Sequence, residues 1–438
     1  MNIGDRKERV LAAIDKNREA IIQIGETILN QPEIGYKEVK TASLVKDIFE
    51  VLHLEYEDSL AITGLKAKLK GRSSKLKVAV IGEMDAVICP LHPKADRATG
   101  ASHSCGHNAQ IATMLGVAYG LVQSGIMNEL DGDVAFMAVP AEEFVELEYR
   151  EHLKNNGDIK LFGGKQELIR IGAFDDIDMA MMVHSHAGAT ERKAFVHGGG
   201  SGFVGKTVRF IGREAHAGGA PYEGINALNA AMMAIMGIHV QREVFKDEDG
   251  IRVHPIITKG GDLVNIVPAD TRMETYVRGK RVGAILEANQ LVNRAIEAGA
   301  YCVGAEAQIN ELPGYLPLKQ NERLGELFAA NIGCFIGNEN VIRNVDMCGS
   351  TDMGDLSAIM PVIQPTMGGF QGQAHSKEFE IVDKEAAYIL PAKAMAMTII
   401  DLLSNEAREG INIKDEFIPV YSKETYLKIW EEFLINKE

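Results

Sequence analysis

Cysteine is scarce for the length of this chain: five residues, Cys89, Cys105, Cys302, Cys334 and Cys348, in 438. An odd and widely spaced set excludes the disulfide framework of a small secreted domain; it fits free thiols, or one metal thiolate, in a reducing cytoplasm. The opening segment, Met1 to Asn17, is charged and lacks the roughly 7 to 15-residue apolar core of a secretory signal. No run of about 18 uncharged apolar residues is present, so no membrane-spanning helix is expected. Basic residues are in deficit, 46 against 61 acidic ones, for a formal net charge of -15. That balance argues against nucleic acid or an anionic membrane as the main partner. An anionic substrate remains compatible, because a few local Arg or Lys side chains can reverse the field inside a cleft. Internal repeats and low-complexity segments are absent as well.

What is present is enough apolar residue, 46% of the chain, to build a sizeable core. The length exceeds what one core usually organises, so two domains are expected. Three short apolar runs read as strands buried on both faces: Lys77 to Gly82, Asp133 to Val139 and Asp178 to Val183. Between the first two, Ile111, Met114, Leu115, Ala118 and Leu121 fall on one helical stripe. Strand, helix, strand is the unit of an open α/β sheet, whose ligand crevice lies at the carboxyl ends of its strands. Each run ends in polar residues: Glu83-Met84-Asp85, Pro140-Ala141-Glu142-Glu143 and His184.

Along the chain, Arg9 to Leu29 reads as an amphipathic helix stopped by Pro32, and Lys37 to Leu54 as a second. Pro90 to Ser102 reads as a loop over the cleft mouth. A helical patch lies at Lys165 to Ile171, and Glu146 to Asn156 carries no functional signal. The glycine-rich stretch Gly198 to Gly202 marks a hinge, after which the pattern runs β-α-β-β-α-β, the order of a small ferredoxin-like sandwich. A second hinge is expected near Pro313-Gly314, with helical patterns at 321–336 and 384–404 returning to the first domain. Residues 1–197 and 314–438 are thus expected to form one discontinuous domain, with 198–313 inserted into it. Gly200-Ser201-Gly202-Phe203-Val204-Gly205 satisfies a dinucleotide-binding pattern but precedes a β-branched run where a helix should begin. Gly163-Gly164-Lys165 lacks the rest of a phosphate loop.

The chemistry concentrates in Cys105-Gly106-His107, where a thiolate and an imidazole, one glycine apart before a helix, suit a divalent ion. On that spacing alone, a buried cysteine beside a structural histidine is the simpler reading. Glu142-Glu143 shifts the balance, since two adjacent acids after a buried strand are costly without a compensating charge. Adjacent residues in extended chain point in opposite directions, so one can ligate while the other works as a base. With His184, or His186 two residues on, and His375, the donors exceed what one tetrahedral ion requires, pointing to two ions.

Met84-Asp85-Ala86, Ser104 to Ala109, Pro140 to Glu143, His184, Gly212 to Pro221, Asn265 to Pro268 and His375-Ser376 resemble, in order, the motifs of the dinuclear metallo-amidohydrolases and carboxypeptidases. That family includes glutamate carboxypeptidase, aminoacylase and indoleacetyl-amino-acid hydrolases. The segments Gly82 to Ala86, Ala215 to Pro221 and Gly349 to Asp355 look most like the aminobenzoyl-glutamate hydrolase branch. The resemblance implies an α/β, mixed-sheet, zinc-peptidase-like catalytic domain with an inserted ferredoxin-like α+β lid and dimerisation domain. It implies Cys105, His107, Glu143, His184 and His375 as ligands of two divalent ions, zinc first, with manganese, cobalt or nickel as alternatives. It further implies Glu142 as general base, Asp85 orienting a ligand imidazole, and His216 donating to the oxyanion in the opposite subunit of a homodimer. Asn265 and Arg278 would hold the substrate carboxylate. One departure is Asn108, where family members commonly carry Asp. The activity implied is hydrolysis of the amide bond of N-acyl or N-aroyl amino acids. A dipeptidase or aminoacylase on the same scaffold is the near alternative, and a non-catalytic metal-containing amino-acid-binding protein the distant one.

Overall fold

The computed structural model describes residues 3–347 and 349–435, which leaves Cys348 outside the described residues. The chain forms two compact units. The first comprises Met1–Gly199, Lys319–Asp346 and Asp355–Glu424; the second comprises Gly200–Leu318, Met347–Gly354 and the chain from Thr425. Residues 314–318, 347–354 and those from Thr425, which the sequence pattern places with the first domain, group with the second, and 198–199 group with the first. Backbone contacts explain the first two: Phe203 N donates to Tyr315 O at 2.8 Å, and Ser201 N to Gly349 O at 2.9 Å.

The first unit is built on a six-stranded mixed sheet in the order Glu55–Leu60, Gly64–Leu69, Asp133–Val139, Lys77–Glu83, Met179–Met181, Val362–Ile363. Lys77–Glu83 runs parallel to both Asp133–Val139 and Met179–Met181, and the outer pair of strands on the other side is antiparallel. The two central strands are almost wholly apolar and buried, which requires cover on both faces. Helix His107–Ser124 supplies much of it and is itself ringed by Ile3–Lys16, Arg18–Leu29 and Leu390–Leu403. The segment Glu385–Leu403 is apolar and long enough to cross a membrane, but 89% of it is buried in this core. The single helix expected from Arg9 to Leu29 is two, broken at Asn17, whose side chain turns back to Ala13 O at 2.7 Å. The second expected helix is shorter than its pattern, Val39–Val51.

The second unit is an antiparallel sheet with Asp270–Gly279 and Gly202–Ile211 at its centre. Glu306–Leu312 flanks one side, and Arg252–Val253 with Ile256–Lys259 the other. Helices Ala227–Val240 and Val282–Cys302 pack on it and on each other. Gly202–Ile211 is a strand, so the glycine pattern at 200–205 opens no helix for a pyrophosphate. This is the β-α-β-β-α-β sandwich expected from the sequence. The described cysteines, Cys89, Cys105, Cys302 and Cys334, are free thiols.

Candidate metal centre

Parallel pairing in register, Glu83 opposite Val139, brings the ends of the two central strands to one edge of the first unit's sheet. Glu83 and Asp85 therefore emerge beside Glu142 and Glu143, at the crevice where α/β sheets bind ligands. Gly106, at φ 86°, makes the left-handed turn that separates Cys105 from the start of helix His107–Ser124. A Cβ there would press on the Ser185 side chain, whose hydroxyl donates to Cys105 O at 2.7 Å. Ala141 and His375 also hold positive φ, 53° and 59°, without being glycine. Such strain persists only where surroundings impose it. Glu38 accepts from Ala141 N at 2.8 Å, and His375 N donates to Ser104 O at 2.9 Å.

The donors converge. Cys105, His107 and His184 offer atoms within 4.8 Å of one another, and so do Cys105, Glu143 and His375. Cys105 is common to both groups, with Sγ 3.5 Å from His184 Nε2; His375 Nε2 stands 3.1 Å from Glu143 Oε1. Asp85 braces two of these residues: His107 Nδ1 donates to Asp85 O at 2.8 Å, and Glu143 N to Asp85 Oδ2 at 2.8 Å. The first bond leaves His107 Nε2 as the ring nitrogen that faces the cluster. Of the two histidines left open by the sequence, His184 joins the cluster, whereas His186 stacks on Phe195 and bonds Thr366 Oγ1 at 2.8 Å. Asn108 turns to Gly25 O and Tyr388 OH, both at 3.2 Å.

Electrostatics show what the cluster requires. Burial alone would raise the Cys105 thiol, but the His107 and His184 imidazoles pull it well below the usual thiol range. His375 is raised to about 11, chiefly by Glu143 and against its own burial. Cys105 and Glu83 raise His107 despite complete burial. Imidazole and thiolate charges thus stabilise one another here, and divalent ions bound among them would displace the imidazole protons. His107 Nε2 and Glu143 Oε1 are moreover buried without a hydrogen-bond partner. A thiolate, imidazoles and carboxylates with unpaired buried atoms fit a divalent metal centre.

His216, Asn265 and Arg278 lie in the second unit. His216 pairs with Ile266 in an isolated bridge, Ala217 N donates to Asn265 O at 2.9 Å, and His216 Nδ1 accepts from Gly219 N at 2.8 Å. Arg278 donates to Ser350 Oγ at 2.7 Å, packs against Phe203 and Tyr276, and borders a cavity of about 400 Å³ with Arg252, His254 and Glu274.

Four supporting residues were given no role by sequence reasoning. Glu83 and Lys165 form a fully buried ion pair at 2.5 Å, and Gln110 donates to Glu83 at 2.7 Å. The fourth is Arg150, carried on helix Leu147–Asn156, buried against Tyr36 and Phe144. Its guanidinium donates to Phe162 O at 2.8 Å and to Glu143 O. An acid at a buried strand end was a signal for Glu83; nothing local marked the other three.

Residues 199–301 match the family model of the peptidase dimerisation domain, M20_dimer. The Xaa-Arg dipeptidase of Mus musculus is 26% identical across 98% of this chain and 94% of its own length. A dinuclear metal-binding peptidase of the M20 family from Bacillus subtilis shares the fold, with a TM-score of 0.62 and 20% identity over 89% of this chain and 99% of that one. So does an aminobenzoyl-glutamate utilization protein from Klebsiella pneumoniae, with a TM-score of 0.64 and 18% identity over 89% of this chain and 97% of that one. With its inserted unit matched by the dimerisation model and nearly its whole length similar to a dipeptidase, the chain is a metallo-amidohydrolase acting on amide bonds.

Proposed function

We propose that this protein cleaves the amide bond between an acyl or aroyl group and an amino acid with a free carboxylate. Two divalent ions would be held by Cys105, His107, Glu143, His184 and His375. The observation that carries this reading is the single Cys105 sulfur shared by two three-donor groups, with a further carboxylate, Glu142, beside them. Zinc suits a thiolate with imidazoles; manganese, cobalt and nickel are the alternatives.

Ions bound there supply acidified water and an electrophile for the carbonyl oxygen. Glu142 accepts the proton of the attacking water and returns it to the departing amine. A mere binding protein has no use for such a base. Asp85 fixes the His107 tautomer and, through Glu143 N, the loop that carries both acids. By the resemblance, His216 would donate to the oxyanion in the opposite subunit of a homodimer, and Asn265 and Arg278 would hold the substrate carboxylate. The cavity beside Arg278, lined also by Arg252 and His254, supports an anion-binding role.

Aminobenzoyl-glutamate is the first substrate to test, on the strength of the Ala215 to Pro221 segment. Dipeptides are the second reading, favoured by the relationship to the Xaa-Arg dipeptidase. The exposed Met232, Met236, Val240 and Val244 on and after helix Ala227–Val240 support a homodimer formed through the inserted unit. Amine release from aminobenzoyl-glutamate, N-acetyl and N-benzoyl amino acids and Xaa-Arg dipeptides, with and without chelator, tests the proposal. Release abolished by chelation and restored by Zn²⁺ or Mn²⁺ is expected. Metal-loaded protein that releases amine from no member of the panel overturns it.

A further inference from the structure

We propose that Glu83 is a sixth donor of the centre, sharing an ion with His107, and that Lys165 and Gln110 are its positioning residues. The inference rests on the two-ion reading above and adds a ligand to it.

Glu83 ends the central strand and is fully buried. Its Oε2 is the carboxylate oxygen closest to the ligand face of His107, 3.1 Å from Nε2, against 3.9 Å for Glu142 and 4.0 Å for Glu143. Despite that approach, His107 Nε2 has no hydrogen-bond partner. On the other side of the ring Nδ1 donates to Asp85 O at 2.8 Å, which leaves Nε2 as the nitrogen turned toward Glu83. An imidazole nitrogen and a carboxylate oxygen this close can share a cation in place of a proton. Donors about 2.1 Å from one ion stand roughly 3.0 to 3.4 Å apart, depending on whether they meet at an octahedral or a tetrahedral angle. The separation of 3.1 Å falls in that interval. Glu83, His107 and Glu142 also form a group whose donor atoms lie within 4.8 Å of one another.

The surroundings of Glu83 hold it in this pose. Oε1 takes the Lys165 ammonium at 2.5 Å, Oε2 accepts from Gln110 Nε2 at 2.7 Å, and Glu83 N donates to Gln110 Oε1 at 3.2 Å. A wholly buried ion pair is a poor source of stability, since desolvation offsets its attraction. Its retention at the edge of a metal centre has a use if the lysine balances the charge of an added oxygen donor while fixing its orientation. That gives the Gly163-Gly164-Lys165 segment a function unrelated to phosphate.

The test compares Lys165→Met with the double variant Glu83→Gln/Lys165→Met. Both lack the lysine, so neither strands a buried ammonium, and they differ only in carboxylate against amide; circular dichroism verifies folding. Competition of Zn²⁺ or Co²⁺ against a chromophoric chelator gives affinity and stoichiometry, and the visible spectrum of the Co²⁺-saturated protein reports the donor set. Lys165→Met is expected to bind two ions per chain. The double variant is expected to bind one of them at least about 10-fold more weakly, with a changed spectrum at saturation. Equal affinities overturn the proposal, and so does weaker binding with an unchanged saturated spectrum, which would make Glu83 a positioning residue only. If the unsubstituted protein binds no ion, the two-ion reading itself fails.

Discussion

Glu142 and Glu143 are neighbours of the same chemistry and similar burial, yet they should answer replacement in opposite ways. Glu143 Oε1 is buried and lies 3.1 Å from His375 Nε2, within one of the two donor groups that contain Cys105. Its amide is fixed by Asp85 and its carbonyl by Arg150. Glu142 Oε2 stands 3.9 Å from His107 Nε2, outside both groups that contain Cys105. Glu142→Gln keeps shape and hydrogen-bonding capacity but cannot take a proton. The expected loss in kcat is about 10² to 10⁴-fold, which is about 3 to 5.5 kcal/mol in activation free energy, with both ions retained. Glu143→Gln removes the charged donor between Cys105 and His375, so it should weaken one ion by about 10 to 100-fold or more. Part of its turnover should return when metal is added in excess. Metal content after dialysis against chelator, read with kcat at saturating Zn²⁺, separates the two. Glu142→Gln with turnover within tenfold of the unsubstituted protein would refute the assignment. An ion lost from Glu142→Gln and kept by Glu143→Gln would reverse it.

Arg150→Met should cost about 3 to 5 kcal/mol in urea unfolding, because Phe162 O, Ala141 O and Glu143 O lose their shared donor at about 1 to 3 kcal/mol each with partial relaxation; a change under 1 kcal/mol would contradict that bracing role. Chelation should lower Tm, since ions at about 100 times their Kd add about 2.7 kcal/mol; equal melting with and without chelator would mean no ion binds the folded state. Asp176 is depressed to about 2 by Lys66 and Lys77, which outweigh its burial. Its contribution is present above the unfolded value near 3.9 and lost as pH falls toward about 2. At 40% side-chain exposure it should amount to about 1 kcal/mol or less, and Asp176→Asn should flatten that part of the stability curve. Met236→Glu with Val240→Glu should shift the protein from dimer to monomer in sedimentation; an unchanged species would place association elsewhere.

The parts of the site that were legible are those whose constraints are local. A run buried on both faces must be apolar throughout, so the polar residues closing Lys77–Glu83 and Asp133–Val139 stand out against it. Glycine at 106 is legible for a similar reason, because a positive φ leaves few substitutes. Direction is not legible: apolar spacing continues across Asn17 while the helix breaks there, since periodicity records which face is buried and not where the axis points. Long charged side chains are the harder case. Helix Leu147–Asn156 is polar enough to read as a solvated surface element, yet Arg150 passes inward from it to carbonyl oxygens at 141, 143 and 162. Lys165 meets Glu83 across 82 residues of chain. Neither pairing has a sequence period, because a flexible stem can lodge its charge far from its own Cα. Ligands must be Cys, His or Glu whatever surrounds them, but the groups that aim them can be any donor that reaches. This is why candidate donors could be proposed from residue types and strand ends, while the groups that support them emerge only from tertiary contacts.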